Sequence, residues 1–482
     1  MRLERTDMKT DLFIGGAWLA ASGGNRIDVI NPSTEEKLTA VADATVEDGL
    51  KAVDAAADAA ADWAQTSPRH RADILRKCYD LMMRDKEFYA RLISLENGKS
   101  LNDSRGEVGY AAEFFRWYSE EAVRIIGDFA IAPSGTNRML VQHQPVGIAL
   151  LVTPWNFPAA MATRKIGPAL AAGCTCVLKP ATETPLTAYA IAALMAEAGV
   201  PDGVVNVITT SSSGKVVSAI MDDPRVRKIS FTGSTEVGRI LLKKASESVM
   251  NCSMELGGNA PYIVFDDADL NKAVDGLMIA KMRNGGEACT AANRIYVQSG
   301  VYEAFAKKLN DRMGAMRLGA GESEDTECGP MINADAVERI NELVQDAVEK
   351  GAELMLGGQK EKRQGYFYPP TIIVNTPSDA KCLHEEIFGP VVPLVSFDTE
   401  EQAIAAANNT EYGLVAYVYT QDLAQGLRVC EQIEAGMVGL NRGLVSDPAA
   451  PFGGTKQSGL GREGGHEGML EYLEKKYIAV DW

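Results

Sequence analysis

The spacing of hydrophobic positions changes along the chain. From Thr45 the apolar residues Leu50, Val53, Ala57, Ala60 and Ala64 fall on one helical face, after a capping-box pattern from Thr45 to Asp48. Ser67-Pro68 opens a second helix, with serine as N-cap and proline at the first helical position. A third is predicted from about 105 to 126, so roughly the first 130 residues read as a helix-rich scaffold. From Arg138 the pattern shortens. The run 146–152 is continuously apolar, as expected of a strand buried on both faces. A turn at 153–158, a helical stretch, strand 174–179, helix 185–198 and strand 204–208 follow. Helix 214–221, strand 228–231 and helix 236–245 continue the alternation. A second α/β region begins near Glu255, with strand 262–265, helix 270–282 and strand 294–298, and runs to about Asn441. Short apolar strands alternating with helices specify parallel βαβ units and doubly wound sheets. Ligands of such sheets sit beyond the carboxyl ends of the strands. The tail 477–482 alternates like an edge strand and is predicted to pair with another subunit.

At 482 residues the chain exceeds what one core serves, so two or three domains are expected. The net charge of −17 argues against nucleic acid and anionic membrane as partners. The eight cysteines include no CxxC pair, and the four histidines are scattered. Reduced thiols in a cytoplasmic protein, with no metal site, are the expectation. The first ten residues lack the apolar stretch of a secretory signal, and no run approaches the ~20 apolar residues of a membrane span.

The candidate chemistry lies at the predicted strand ends. Cys289 sits among small residues in Asn284-Gly-Gly-Glu-Ala-Cys289, and Glu255 lies in Glu255-Leu-Gly-Gly-Asn. A nucleophile and a general base, each in a glycine-rich turn, point to covalent catalysis. Asn156, in Pro154-Trp-Asn-Phe-Pro158, lies in a rigid turn able to aim one amide donor at an oxyanion. Lys179, in Lys179-Pro-Ala-Thr182, is placed to meet a ribose or phosphate. Phe231-Thr-Gly233-Ser234 is a strand–turn–helix junction of the kind that attracts phosphate. Glu386-Ile-Phe388-Gly-Pro joins a carboxylate for a ribose diol to a ring for a flat heterocycle. Pro451-Phe-Gly-Gly454 is a further rigid turn.

Together and in this order, these segments resemble the aldehyde dehydrogenase superfamily over essentially the whole chain. The resemblance implies an α/β, aldehyde dehydrogenase-like fold: a Rossmann-type NAD(P)-binding domain (1–124 and 144–254), an α/β catalytic domain (255–450) and a small β oligomerisation extension (125–143 and 451–482). It implies a homodimer or homotetramer. It also implies that Cys289 attacks the aldehyde, Asn156 and the Cys289 N–H hold the oxyanion, and Glu255 activates the water that releases the acid. Cofactor contacts would come from Lys179, Thr182, Ser234, Gly233, Trp155, Glu386 and Phe388.

Within the superfamily the chain is most similar to succinate-semialdehyde dehydrogenases, through Arg164 in Ala-Thr-Arg-Lys, Arg283 in Lys-Met-Arg-Asn, and Ser446 in Gly-Leu-Val-Ser. In that family these three residues grip the substrate's far carboxylate, and a guanidinium fork matches a carboxylate bidentately. Some positions depart from the family pattern. Glu287 replaces the usual glutamine two residues before Cys289, Ala291 stands where some relatives carry a second cysteine, and Arg442 and Asp447 flank Ser446 unusually. Glu287 is expected to point away from the thiol or to pair with a base. Asp447 leaves room for other aldehydes: glutarate semialdehyde, an aliphatic or betaine aldehyde, or a sugar-derived one. Thr182 stands where NAD-selective relatives often carry glutamate, so NADP is expected to be accepted, with NAD as the other nicotinamide.

Overall fold

A computed structural model describes residues 8–481. Most of the N-terminal segment, and the Trp482 end of the predicted tail strand, lie outside the described residues. Three larger sheets, beside two two-stranded ones, organise the described residues. The first has eight strands, in the order Ala17–Leu19, Leu12–Ile14, Val205–Val207, Cys176–Lys179, Ile148–Val152, Val226–Thr232, Asn251–Glu255, Gly459–Leu460. Its five central strands are parallel, as the apolar runs required. Ile148–Val152 is buried at every position, and so is the helix Pro158–Ala172 beside it. That helix ends at Gly173, in the left-handed region that glycine adopts freely.

The second sheet has seven strands, in the order Glu353–Leu356, Thr371–Val374, Val391–Phe397, Ala292–Gln298, Ala260–Val264, Val415–Tyr419, Met437–Leu440. Its core is also parallel. The last residue of Asn251–Glu255 leads through Gly257-Gly258 into Ala260–Val264, so the chain crosses from one sheet to the other just after Glu255.

The helical starts stand where the cap residues put them. Thr45 and Asp48 close a capping box on Val46–Gln65, and Ser67 caps Pro68–Arg84. The third predicted helix runs Leu101–Glu121, starting and ending earlier than read. Two corrections concern the helices and the N-terminal region. That region contains four strands and a further helix, Lys86–Asn97, that the helical reading missed. The first two strands are three residues each, too short for a period-2 signal. The usable clue was Gly15-Gly16, both at positive φ, which forms the two-residue hairpin turn between them. The predicted helix 270–282 is α-helical only to Leu277. It continues as a π-helical turn Met278–Met282 and a 3-10 segment Arg283–Gly286, irregularity of a kind common at functional sites.

The tail forms an edge strand, as expected, but starts earlier than read. It spans Leu473–Val480 and pairs antiparallel over eight residues with Arg138–Pro145 of the same chain, which in turn pairs with Asp128–Ile131. One side of the tail strand is thus satisfied internally, and only its outer edge is open. Phe129, Ile131 and Tyr477 are exposed on this three-stranded sheet.

Candidate active site

Cys289 follows a backbone segment that few sequences could form. Asn284, Gly285 and Gly286 take φ of 54°, 58° and 82° in succession. A side chain at Gly286 would come within 2.2 Å of the Gly389 carbonyl, so the Cys289 loop and the Phe388-Gly389 turn approach backbone to backbone. A side chain at Gly258 would meet the Cys289 carbonyl at 2.6 Å, while the Gly258 N–H donates to Glu386 Oε1 at 3.4 Å. The two glycines of Glu-Leu-Gly-Gly-Asn therefore let Glu386 and Cys289 close on a common space. That space is a cavity of about 240 Å³ lined by Trp155, Asn156, Gly233, Ser234, Cys289, Glu386 and Phe388, together with Pro154, Met161, Thr232, Leu256 and Gly257. Seven residues chosen from sequence meet in it.

Asn156 is buried, and its Nδ2 donates to the Glu287 carbonyl at 3.1 Å. Its own backbone carbonyl accepts from Asn284 Nδ2 at 2.9 Å and from Lys99 Nζ at 2.6 Å. The Glu287 bond fixes the amide: turned over, its oxygen would face the Glu287 carbonyl. One Nδ2 hydrogen remains for the cavity. Lys99 is paired in turn with Glu107 at 2.5 Å, and Glu107 Oε1 accepts the N–H groups of Ala159 and Ala160 at the start of helix Pro158–Ala172. Sequence reading missed both Lys99 and Glu107. Lys99 lies just before helix Leu101–Glu121 and Glu107 within it, and nothing in their local sequence pattern marks either as buried.

Glu287, the residue whose direction was in question, is buried and turned away. Its Oε1 accepts from the Ile332 N–H at 3.1 Å, and burial pushes its carboxyl up to about 8. Cys289 itself is partly accessible, yet burial of its surroundings pushes the thiol up to about 12. Arg164 and Arg283 work against that rise, while Glu386 and Glu255 add to it.

Glu255 is buried at the end of its strand. Burial first, and then the charge of Glu463, raise its carboxyl well above the usual range; Arg164, Lys165 and Arg462 oppose this. A side chain at Gly453 would lie 3.0 Å from Glu255 Oε1, so the Pro-Phe-Gly-Gly turn packs closely against the Glu255 carboxyl. Glu463 was not foreseen. It pairs with Arg164 and with Lys165, each at 2.5 Å, and also accepts from the Ser230 hydroxyl. Burial works against its charge, but Lys165 and Arg164 hold it below the usual carboxylate range.

The two arginines expected to meet the substrate are therefore unlike. Arg164 is fully buried, pairs with Glu463 and lies over the Phe452 ring at 4.2 Å, so its charge is already compensated. Arg283 is half-buried. Its Nη2 donates to Thr290 Oγ1 at 3.3 Å and its guanidinium lies 5.2 Å from the Phe157 ring centre. Among the described residues no carboxylate stands within 4 Å of it. Ser446 is half-buried outside the cavity wall. Asp447 beside it uses Oδ1 to accept the Ala449 N–H at 2.9 Å, which occupies its charge in its own turn.

Lys179 and Thr182 lie at the carboxyl end of Cys176–Lys179, outside the cavity wall. Burial lowers the Lys179 ammonium, against the attraction of Glu183. The Thr182 hydroxyl donates to Glu183 Oε2 at 3.0 Å. A carboxylate thus stands beside Thr182, the position that carries no carboxylate of its own. Ser234 caps helix Thr235–Ser246, accepting from the Val237 N–H at 3.4 Å, so the helix N-terminus opens on the cavity. The donor set suits a nicotinamide nucleotide. Glu386 offers carboxylate oxygens to a diol, the edge-on pair Trp155–Phe388 (centroids 5.3 Å apart) offers flat walls, and both adjoin the thiol.

Comparison with known proteins agrees with this geometry. The aldehyde dehydrogenase family pattern matches residues 18–478. The chain belongs to the aldehyde dehydrogenase family. It is 54% identical to a succinate-semialdehyde dehydrogenase of Paenarthrobacter nicotinovorans over 92% of this chain and 98% of that one. It is 48% identical to the NADP(+) succinate-semialdehyde dehydrogenase of Escherichia coli over the full length of both. A crystal structure of an Escherichia coli NADP-dependent enzyme superposes with a TM-score of 0.98, at 48% identity and 99% coverage of each chain. The enzyme is an oxidoreductase with the aldehyde dehydrogenase fold. Among its described residues no helix is long and apolar enough to cross a membrane.

Proposed function

We propose that the enzyme oxidises succinate semialdehyde to the dicarboxylic acid with NADP or NAD. The observation that carries the substrate class is Arg283: a half-buried guanidinium, six residues before the nucleophile, with no carboxylate of its own among the described residues. The similarity to succinate-semialdehyde dehydrogenases supports the same reading.

The residues act as follows. Arg283, with Ser446, holds the far carboxylate and so points the aldehyde carbon at Cys289. The thiolate attacks that carbon; Arg283, and Arg164 even while paired with Glu463, draw the thiol toward its ionised form. The free Asn156 Nδ2 hydrogen and the Cys289 N–H stabilise the oxyanion. The nicotinamide nucleotide, when bound, supplies the hydride acceptor. Glu386, Phe388, Trp155, Gly233 and Ser234 hold its nicotinamide and phosphate part, while Lys179 and Thr182 hold its adenosine ribose. Glu255, in its ionised form, takes a proton from the water that cleaves the Cys289 thioester. Retention of this base argues for hydrolysis over transfer to a thiol cofactor.

The domain division is 1–124 with 144–254 for the nucleotide, 255–450 for catalysis, and 125–143 with 451–482 for assembly. The exposed Phe129, Ile131 and Tyr477 support a homodimer or homotetramer built through this sheet. A cytoplasmic location and the absence of nucleic-acid partners fit the reduced cysteines and acidic charge. The test is steady-state kinetics, following nucleotide reduction, on succinate semialdehyde, glutarate semialdehyde, betaine aldehyde and butanal with each nucleotide. Succinate semialdehyde should have the highest kcat/KM. A higher value for a neutral aldehyde would overturn the reading.

A further inference from the structure

The segment between the short 3-10 turn Lys381–Leu383 and the strand Val391–Phe397 carries Glu386 and Phe388 without helix or strand of its own. Phe388 even takes a φ of 51°, which a bulky residue adopts only when its surroundings impose it. One buried side chain from outside the segment holds it at both ends of Glu386. Asn293 lies on strand Ala292–Gln298, four residues after Cys289, and is 2% exposed. Its two Nδ2 hydrogens serve three acceptors, one of them shared: Asn259 Oδ1 at 2.7 Å, the Glu385 carbonyl at 3.0 Å and the Cys382 carbonyl at 3.3 Å. Its Oδ1 accepts the Ile387 N–H at 3.1 Å. The same amide therefore binds the carbonyl just before Glu386 and the N–H just after it. Asn259, from the turn after Glu255, adds a bond from its Nδ2 to the Leu383 carbonyl at 3.0 Å.

Only a side chain with a donor and an acceptor in one short plane bridges a carbonyl and an N–H at this spacing. Aspartate has the same shape but presents oxygen to two carbonyls and to Asn259 Oδ1. Serine reaches fewer of these partners. We propose that Asn293 is a positioning residue for the cofactor side of the site, fixing Glu386 and Phe388 relative to Cys289 through the strand that follows the nucleophile. Asn293 does not line the cavity, so it acts through the loop it holds. The proposal rests on the reading of Glu386 as the acceptor for the nicotinamide ribose.

The experiment compares Asn293→Asp, Asn293→Ser and Glu386→Gln in the full-length enzyme. NADP and NAD binding is followed by fluorescence titration, aldehyde KM by steady-state kinetics, and the alkylation rate of Cys289 by iodoacetamide without nucleotide. Asn293→Asp should raise the Kd for both nucleotides about 10- to 30-fold and Asn293→Ser about 3- to 10-fold. Aldehyde KM and the alkylation rate should stay within about twofold of the parent, a split that a general loss of structure would not give. Combining Asn293→Asp with Glu386→Gln should add little to either alone, because both remove one interaction. If Glu386→Gln weakens nucleotide binding and both Asn293 variants leave it within twofold, the positioning role is overturned. It is equally overturned if all three readouts fall together, or if Asn293→Asp does not fold and Asn293→Ser binds normally. If Glu386→Gln itself leaves nucleotide binding unchanged, the assignment of Glu386 fails instead.

Discussion

Replacing Arg283 by alanine should separate carboxylated from neutral aldehydes. The guanidinium is half-buried, its hydrogen bond is to a neutral hydroxyl at 3.3 Å, and the Phe157 ring shields one side from water. A carboxylate about 4 Å away, at the effective dielectric of about 20 typical of such a site, is attracted by about 4 kcal/mol. Removing water from both ions takes back a share of this, leaving about 2–3 kcal/mol in the transition state. At about 1.4 kcal/mol per factor of ten, that is a loss of about 30- to 150-fold. The assay is kcat/KM for succinate semialdehyde and for butanal, which has the same chain length without the charge. Arg283→Ala should reduce the first by that amount and leave the second within about threefold. Arg283→Lys should fall between, because the ammonium keeps the charge and loses the fork. Arg164→Ala is the contrasting case. It strips Glu463 of one of two buried cations, so it should cost about 3–5 kcal/mol of stability and depress both substrates alike. Equal losses on both aldehydes in Arg283→Ala would refute the carboxylate reading of that residue.

Three further outcomes are expected of the same structure. With its thiol pushed up to about 12 by burial, Cys289 of the nucleotide-free enzyme should be alkylated by iodoacetamide about tenfold faster per pH unit from 8 to 11; a plateau near pH 8 would contradict this. Buried Lys281, whose Nζ has no hydrogen-bond partner among the described residues, is lowered from 10.5 to about 7 by burial, despite the attraction of Glu386. That mismatch is a penalty on the order of 5 kcal/mol, fully present below pH 7 and vanishing as pH rises to 10.5, where the unfolded chain also loses the proton. Lys281→Met should therefore raise the melting temperature by about 5 °C at pH 6 and by much less at pH 10, and a variant less stable at both would count against it. Glu183→Gln should shift the NADP-to-NAD ratio of kcat/KM several-fold toward NADP and Thr182→Glu the other way, as measured with each nucleotide; no change in either variant would remove these residues from the ribose pocket.

The parallel sheets, and the gathering of seven candidate residues at one cavity, were legible in the sequence, because buried strands leave continuous apolar runs and glycines mark close backbone approach. The runs at 146–152 and 174–179 became adjacent central strands, and the turn after the first lines the site cavity. What stayed hidden was long-range pairing. Nothing local distinguishes Arg164, fully committed to Glu463 almost three hundred residues later, from Arg283, which pairs with no carboxylate among the described residues. Thr182 looked like the removal of a negative charge until the fold turned the neighbouring Glu183 onto its hydroxyl. The tail strand stands at the edge of its sheet as read, but its inner partner, Arg138–Pro145, stayed hidden because it lies over three hundred residues earlier. Three-residue strands at the N-terminus were too brief for any periodicity to register.

The central claim is covalent catalysis by Cys289 with Glu255 as the base that releases the product. Rapid mixing of Glu255→Gln with succinate semialdehyde and NADP, combined with intact-protein mass spectrometry, tests it most directly. The expected result is a burst of about one reduced nucleotide per active site, then near-zero turnover, with the acyl group found on Cys289 and absent in Cys289→Ala. Rapid steady turnover without a burst, or an acyl group on another residue, would contradict it.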